Sequence, residues 1–470
     1  MSDSPSSAPA TAPVTALPRV LTLFDGTTIV VGAIIGSGIF LKVDSVDTAL
    51  MPFGFGPIIG VWILMGLVTL CGSLALGELA ALYPQAGGPY VYLREVYGKL
   101  PAFLWGWTEF WVVRTGSIGA LACASTLYLN QIVPLTVNQQ MFTAIGIVAA
   151  LSLSAILSTK GSAVVQNWLT FIKVAFLAGI IVLPAVMGHA DAGEGHWQPV
   201  WQSSSESSFW QAMGIAIIAV MWPYHGWIDL APVAEEIKEP ERNVARALGL
   251  GLAIVAGVYV LANLSYHLMF PMSHIAGTKT IAADVFQGLF GPWGRQLAAA
   301  GVMCSTLGAN NATILCGPRI YFAMARDGLL PARLQYIHAR WQTPANAILA
   351  QGVWTILLIL AFFAWKKDDP KGAFDGLTDS VVCAGLVFFS MTVGAVYLLR
   401  WTRPDAPRAY RTWGYPLTPA LLIGVYAFAF VRQIMDAPQQ MIAIAALIAS
   451  GAMYYAWATR RAREVIAPRQ

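Results

Sequence analysis

The chain has 470 residues, of which 57% are hydrophobic and only 11% are charged, and its mean hydropathy is +0.62. Because soluble domains carry roughly 25% charged residues, this composition excludes an ordinary soluble globular protein. The formal net charge of +4 is too small to indicate a nucleic-acid-binding role.

The first 18 residues are mostly Ser, Ala, Pro and Thr without Lys or Arg, which predicts a disordered tail rather than a signal peptide. Beyond this tail, apolar runs of about 20 residues, the length that crosses a bilayer, recur along the chain. We predict an all-α polytopic membrane protein with about twelve transmembrane helices, here called segments 1 to 12. Their cores lie at 27–50, 57–82, 102–129, 139–157, 162–187, 209–230, 247–271, 296–323, 345–364, 378–400, 416–433 and 439–459.

Segments 1 and 6 are both interrupted by glycine. The first interruption reads Gly36-Ser37-Gly38, and the second lies at 222–227 and reads Trp-Pro-Tyr-His-Gly-Trp. Unwinding a membrane helix leaves backbone N–H and C=O groups without partners, and this is tolerated only inside protein or beside a cavity. Two such breaks at corresponding places are the best sequence indication of a transporter's binding site.

If the broken segments come first in their halves, segments 1–5 and 6–10 form two repeats, at about 22–187 and 209–400. Because each repeat has an odd number of helices, the second is inverted relative to the first, as in several secondary transporters. The transport core then covers 19–403. Segments 11 and 12 and a short C-terminus, 404–470, are peripheral additions.

The distribution of basic residues predicts the orientation in the membrane. With both termini cytoplasmic, the inner loops and tails hold 19 of the 28 Lys and Arg residues and the outer loops hold 6. This is the positive-inside bias. We therefore predict a multi-pass protein of the cell membrane, plasma or inner, with both termini in the cytoplasm.

From about residue 21 to residue 419, the chain resembles the amino acid–polyamine–organocation superfamily and, within it, the L-amino acid transporter family. The resemblance rests on an ordered set of motifs, which are Gly36-Ser37-Gly38-Ile39-Phe40, Gly77-Glu78-Leu79, Gly87-Gly88-Pro89-Tyr90, Arg114, Lys173, Tyr224-His225-Gly226-Trp227, Glu235-Glu236, Ala325-Arg326-Asp327-Gly328-Leu329-Leu330-Pro331 and Tyr415-Pro416-Leu417-Thr418-Pro419. It implies a LeuT-like 5+5 inverted repeat with broken helices 1 and 6, and amino-acid transport by alternating access.

The break in segment 1 predicts an anion site. Opening the helix at Gly36, Ser37 and Gly38 frees N–H groups at the start of a new half-helix near Ile39, and helix N-termini attract anions. A substrate α-carboxylate is the natural occupant, although small residues also serve as packing motifs between membrane helices. The family resemblance implies that Ser37 and Gly38 hold this carboxylate.

The carbonyl groups at the two breaks predict a complementary cation site. Half-helix C-terminal ends favour positive charge, and they lie near Ile34 and Ile35 in segment 1 and near Trp222 and His225 in segment 6. The two sites together fit the zwitterion of an amino acid. The predicted substrate-binding residues are Ile34, Ile35, Gly36, Ser37, Gly38, Ile39, Trp222, Pro223, His225 and Gly226.

Two side chains at the second break bear on selectivity. The resemblance implies that Trp222 covers the bound substrate, and an interfacial or packing role is the alternative. His225 stands where relatives with large neutral substrates commonly hold a small residue and some relatives with cationic substrates hold an acid. An imidazole would narrow the pocket and offer a hydrogen bond. This favours small or polar neutral substrates, leaves an acidic substrate open, and has a packing histidine as its alternative.

Lys173 interrupts the apolar run of segment 5, where a charge costs roughly 2.5–3.5 kcal/mol or more. Snorkelling to an interface is the alternative interpretation. In sodium-coupled relatives of this fold a sodium ion lies between segments 1, 5 and 8, and the resemblance implies that the Lys173 ammonium replaces it. Ser305 and Tyr266 are the neighbours that the resemblance implies.

The other charges within or near the segments predict structural contacts. We expect Glu78, Glu109 and Arg114 to form structural ion pairs more readily than to contact substrate. An ion-pair gate on the inner side is a further alternative for the charges near the helix ends. Its candidate residues are Asp25, Glu235, Glu236, Arg242, Arg246 and Arg326.

The sequence contains no catalytic or metal-binding constellation, so we predict no enzymatic activity, no metal and no cofactor. We predict that the protein is a sodium-independent exchanger of small or polar neutral L-amino acids. A proton-coupled symporter is the main alternative, and an amino-acid sensor on a transporter scaffold or a channel is less favoured. Eukaryotic members of the family often pair with a heavy chain through an outer-loop cysteine, and the loop at 132–140 has none. We therefore predict no disulfide-linked heavy chain and leave monomer or homo-oligomer open.

Overall fold

The computed structural model describes residues 19, 21–85, 87–157, 159–188, 195–203, 209–338, 340–341, 343–367 and 369–466. The predicted tail at 1–18 lies outside them. The described residues form helices and connecting turns without a strand, and one isolated backbone bridge joins Leu21 and Ile237.

The first five segments are found in the predicted order. Segment 1 consists of Leu23–Ile34, Gly38–Leu41 and Val43–Leu50, and segment 2 is Phe55–Leu82. Segment 3 joins Lys99–Thr108 to Arg114–Leu129 through a π-helical turn at Glu109–Val113. Segments 4 and 5 are Val137–Leu157 and Thr159–Val186.

The second half continues in the same way. Segment 6 is the helix Phe209–Met221 with the 3-10 turns His225–Ile228 and Ala231–Glu236 after it. Segments 7 to 12 are Pro240–Met269, Pro292–Arg326, Ala345–Trp365, Pro370–Thr402, Leu417–Asp436 and Pro438–Ile466. Three helices lie in loops where the sequence predicted none, namely Pro89–Tyr97, Met272–Gly277 and Ile281–Phe290.

Ten helical stretches in the described chain are long and apolar enough to cross a membrane. The two remaining predicted segments are 6 and 8. Segment 6 has an α-helix of only 13 residues before its break, and segment 8 has 35 residues with buried polar side chains such as Ser305 and Asn310 along its length. Segment 8 can carry these groups because it packs inside the protein, where hydrogen-bond partners are available.

The packing of the segments relates the two halves. Segment 2 packs against segment 7, segment 3 against segment 8, and segment 4 against segment 9, so counterparts meet one another. Segment 3 also packs against segment 10, and its counterpart segment 8 packs against segment 5. If segments 1–5 are replaced by their counterparts 6–10 and the reverse, each of these contacts maps onto an observed contact. An inverted repeat requires this relation. Of the most apolar stretch of segment 3, 83% is buried in the protein. The corresponding share is 22% for segment 11 and 17% for segment 12.

Both predicted breaks are present, but the chain continues differently after each of them. In segment 1 the α-helix ends at Ile34 and resumes at Gly38. In segment 6 only 3-10 turns come after Met221, so the predicted continuation of this helix to residue 230 is wrong. Pro223 and Pro232 explain the difference, because proline lacks the N–H that an α-helix interior requires.

Candidate substrate site

The two breaks contact each other directly at the centre of the protein. A Cβ atom on Gly38 would lie 2.5 Å from the Cα of Pro223, and one on Gly226 would lie 2.6 Å from the carbonyl oxygen of Ala33. No side chain fits at either distance, so these two glycines allow the broken segments to meet. Gly36 is less constrained, since its Cβ would lie 3.2 Å from a methyl carbon of Leu121.

A small cavity of about 30 Å³ lies beside this contact, which in this conformation is room for about two water molecules. Residues of segments 1, 3, 6 and 8 line it, namely Ala33, Ile34, Gly36, Ser37, Gly38, Arg114, Ser117, Leu121, Trp222, His225, Gly226, Asp229, Ala309 and Thr313. Seven of the ten predicted substrate-binding residues border the cavity. Ile35, Ile39 and Pro223 do not.

Two of these three residues, Ile39 and Pro223, have carbonyl oxygens within hydrogen-bonding distance of tyrosine hydroxyls. The Tyr259 hydroxyl is 3.0 Å from the Ile34 oxygen and 3.1 Å from the Pro223 oxygen. The Tyr266 hydroxyl donates to the Ile39 oxygen at 3.2 Å. The Tyr259 hydroxyl thus occupies the Ile34 carbonyl, which was predicted to be available to a substrate ammonium. In the described part of the chain the cavity-lining Ala33 carbonyl accepts no hydrogen bond, so it is the freer acceptor.

Lys173 braces the same break from segment 5. Its fully buried ammonium donates to the carbonyl oxygens of Gly32 at 2.8 Å and Ile35 at 2.9 Å. The Ser305 hydroxyl of segment 8 donates to the Gly36 oxygen at 2.9 Å. Lys173 and Ser305 therefore meet at the end of the first half-helix, whereas Tyr266 contacts the start of the second. Helix C-terminal carbonyls stabilise a positive charge at this position.

Trp222 and His225 form an aromatic wall across the cavity. The Trp222 indole N–H donates to the Ser37 hydroxyl oxygen at 3.1 Å, which connects the two breaks. Its ring lies parallel to His225 within 18°, with centroids 5.8 Å apart. The His225 ring packs in turn against Phe389 of segment 10 at 5.7 Å. Both side chains are therefore positioned to limit the size of whatever occupies the cavity.

The cavity also has a charged end, formed by Arg114 and Asp229. Arg114 donates to Glu109 Oε1 through Nε at 2.8 Å and through Nη2 at 2.5 Å, and Nη2 also donates to Asp229 Oδ1 at 3.0 Å. The π-helical turn places Glu109 and Arg114 on the same side of segment 3. Arg114 was predicted to form a structural ion pair, and Asp229 was not among the predicted site residues. An acid within the buried stretch after His225 was the available signal.

Segment 1 is fastened differently before and after its break. At its N-terminal end, the Leu21 N–H donates to the Glu236 oxygen at 2.9 Å and the Lys238 N–H donates to the Leu21 oxygen at 2.8 Å. After the break, buried Lys42 directly follows Gly38–Leu41 and lies 2.9 Å from both Asp375 and Asp379 of segment 10.

Two of the charges considered for an inner gate, Asp25 and Glu236, make contacts with residues outside the candidate set. Asp25 accepts from the backbone N–H of Thr22 at 2.8 Å within a capping box. Glu236 lies 3.9 Å from Arg319, which was not among the predicted gate residues. The N-terminal end of segment 1 is therefore fastened chiefly by backbone hydrogen bonds.

Glu78 forms a structural cluster away from the cavity. It accepts from Arg400 at 3.0 and 2.7 Å and from the backbone and hydroxyl of Thr412 at 2.7 Å, and Arg408 lies 3.2 Å away. These contacts attach the chain after segment 10 to segment 2. Among the described residues no group of three His, Cys, Asp or Glu could hold a metal ion, and all five cysteines are free.

The family model described as amino acid permease matches residues 21–458. The chain belongs to the amino acid permease family. This confirms the predicted superfamily, the polytopic helical fold and a transport role rather than an enzymatic one. The permease is thus a multi-pass membrane protein that transports amino acids.

Three relatives cover most of the permease. It is 30% identical to the serine/threonine exchanger SteT of Bacillus subtilis over 95% of this chain and 98% of the relative. It is 27% identical to the mouse b(0,+)-type amino acid transporter 1, covering 96% and 92%. It is 28% identical to the human cystine/glutamate transporter, covering 84% and 76%.

Proposed function

We propose that this permease is a sodium-independent exchanger of small or polar neutral L-amino acids that works by alternating access. The observation that carries the proposal is the position of Lys173. Its ammonium bonds the carbonyls of Gly32 and Ile35 at the end of the first half-helix. A fixed cation there supplies the charge that a coupled sodium ion supplies in relatives of this fold.

The cavity supports the substrate class. Backbone N–H groups at 36–38 suit an α-carboxylate, and the Ala33 carbonyl suits an α-ammonium. The Trp222 and His225 rings line this small cavity and therefore favour a small side chain over a bulky one. Exchange is further supported by the resemblance to a serine/threonine exchanger that is similar over nearly its full length.

The test is uptake of labelled L-serine into proteoliposomes that contain the purified permease. We expect equal uptake when external sodium is replaced by choline, and strong stimulation by unlabelled amino acid inside the vesicles. Sodium-dependent uptake would contradict the proposal. Uptake driven by an inward proton gradient without internal amino acid would instead support a proton-coupled symporter.

The orientation is part of the proposal and needs a separate measurement. We expect both termini in the cytoplasm of a cell-membrane protein, as the distribution of Lys and Arg predicts. Protease accessibility of tags at either terminus in right-side-out and inside-out vesicles tests this. Cleavage of either tag in right-side-out vesicles would contradict it.

A further inference from the structure

Arg114 and Asp229 together offer an unused donor and an unused acceptor at one end of the cavity. Arg114 employs Nε and Nη2 in its contacts with Glu109 and Asp229. In the described part of the chain Nη1 of Arg114 and Oδ2 of Asp229 take no hydrogen bond. Their side chains are only 5% and 10% exposed and both border the cavity. A substrate in the cavity can therefore reach these two atoms.

The neighbouring hydroxyl groups add acceptors to the same cavity. Ser117 donates its hydroxyl hydrogen to the Val113 oxygen at 2.6 Å, and Thr313 donates to the Ala309 oxygen at 2.8 Å. Because each hydrogen is already used within its own helix, each hydroxyl oxygen remains an acceptor. The lining thus holds one free charged donor and several acceptors.

The charges disfavour a charged side chain at this place. One guanidinium is shared by two carboxylates, those of Glu109 and Asp229. A substrate carboxylate would add a third negative charge, while a substrate ammonium has no acceptor for the Arg114 Nη1 hydrogens. The imidazole of His225 is the other titratable group on the lining. A neutral group that both donates and accepts meets both unused atoms without adding charge.

We propose that Arg114 and Asp229 are specificity-determining residues that recognise a neutral hydroxyl or carboxamide side chain. The substrate group donates to Asp229 Oδ2 and accepts from Arg114 Nη1. Glu109 is a positioning residue, since it holds the guanidinium through Nε and Nη2 and leaves Nη1 towards the cavity. This inference rests on the proposed amino-acid exchange and specifies its substrates as serine, threonine and asparagine-like molecules.

The test compares pairs of amino acids with nearly the same shape. Unlabelled threonine and valine, and asparagine and leucine, compete with labelled L-serine for exchange in proteoliposomes. An apolar analogue leaves the charged groups of Arg114 and Asp229 without a hydrogen bond. We therefore expect about a tenfold to hundredfold preference for threonine over valine and for asparagine over leucine. Equal competition by threonine and valine in the wild type overturns the inference while leaving exchange itself intact.

Substitutions of Asp229 test whether this residue causes the preference for polar side chains. We expect Asp229→Leu to reduce both preference ratios to near one, and the more conservative Asp229→Asn to reduce them about tenfold. The ratios are measured within each variant, so a change in expression does not affect them. The control is Asp327→Asn. This carboxylate does not border the cavity and pairs with Arg94 at 2.7 Å, so the variant should keep both ratios.

The outcomes separate the two proposals. Unchanged ratios in Asp229→Asn show that the preference arises elsewhere and overturn the inference. If Asp229→Leu does not fold, Asp229→Asn and the wild-type ratios still decide. If the wild type exchanges no amino acid at all, the proposed function fails and the inference fails with it.

Discussion

Replacing Lys173 with alanine removes both hydrogen bonds that its ammonium donates to the end of the first half-helix. The acceptors are the Gly32 oxygen at 2.8 Å and the Ile35 oxygen at 2.9 Å. A hydrogen bond to a charged group contributes about 1.5–3 kcal/mol, so the pair contributes roughly 3–6 kcal/mol to this conformation of segment 1. Because each 1.4 kcal/mol is about tenfold, the loss corresponds to about 10²- to 10⁴-fold in population.

Part of this loss is offset, because the variant no longer buries a charge. The Ser305 hydroxyl also remains 3.4 Å from the Ile35 oxygen as a weak alternative donor. We therefore expect the lower end, about a 100-fold weaker apparent affinity for substrate, since affinity falls with the population of the competent state.

The assay is equilibrium binding of labelled L-serine to the purified variant, together with exchange in proteoliposomes in sodium-free buffer. Lys279→Ala is the control, because that lysine is 71% exposed and its nearest carboxylate oxygen, on Asp369, is 3.9 Å away. An affinity of Lys173→Ala within threefold of the wild type would refute the bracing role. Full exchange activity in the variant would refute it equally.

Three further predictions concern the breaks, the aromatic wall and the Glu78 cluster. Gly38→Val should prevent folding, because its side chain would overlap Pro223, whereas Gly36→Ala should fold and bind substrate more weakly. Size-exclusion chromatography and substrate binding distinguish the two variants, and a well-folded Gly38→Val protein would contradict the contact between the breaks. His225→Gly should raise relative uptake of bulkier neutral amino acids, and His225→Asp should raise uptake of cationic ones; an unchanged substrate preference in both variants would make His225 a packing residue. Glu78→Gln should destabilise the folded protein by about 3–5 kcal/mol, because it leaves the Arg400 and Arg408 contacts uncompensated; a thermal unfolding midpoint equal to that of the wild type would contradict this.

The sequence predicted the helical fold because its main signals are local. Apolar runs of membrane-spanning length mark the segments, and glycine marks the breaks at 36–38 and 222–227. The helix prediction failed after Met221, where Pro223 and Pro232 interrupt the α-helix and 3-10 turns form, although the apolar composition continues.

The cavity could be predicted only in part, because much of it depends on contacts between distant segments. Glycine was expected at the breaks for substrate access, but Gly38 and Gly226 are also required where the two broken segments touch. The carbonyl of Ile35 was offered to a substrate ammonium, and Lys173 occupies it. Asp229 was overlooked because its partner Arg114 is 115 residues away in sequence. Side-chain pairing of this kind has no periodicity that a single sequence displays.

The two fastenings of segment 1 use different chemistry, and this lets solvent conditions address them separately. The N-terminal end is held by two backbone hydrogen bonds around Leu21, which carry no net charge and are insensitive to ionic strength. The part after the break is held by Lys42 between Asp375 and Asp379, with side-chain exposures of 2%, 30% and 36%. Salt and acid can reach these partly exposed carboxylates and weaken this fastening. The medium can therefore act on one fastening of segment 1 while the other keeps its strength.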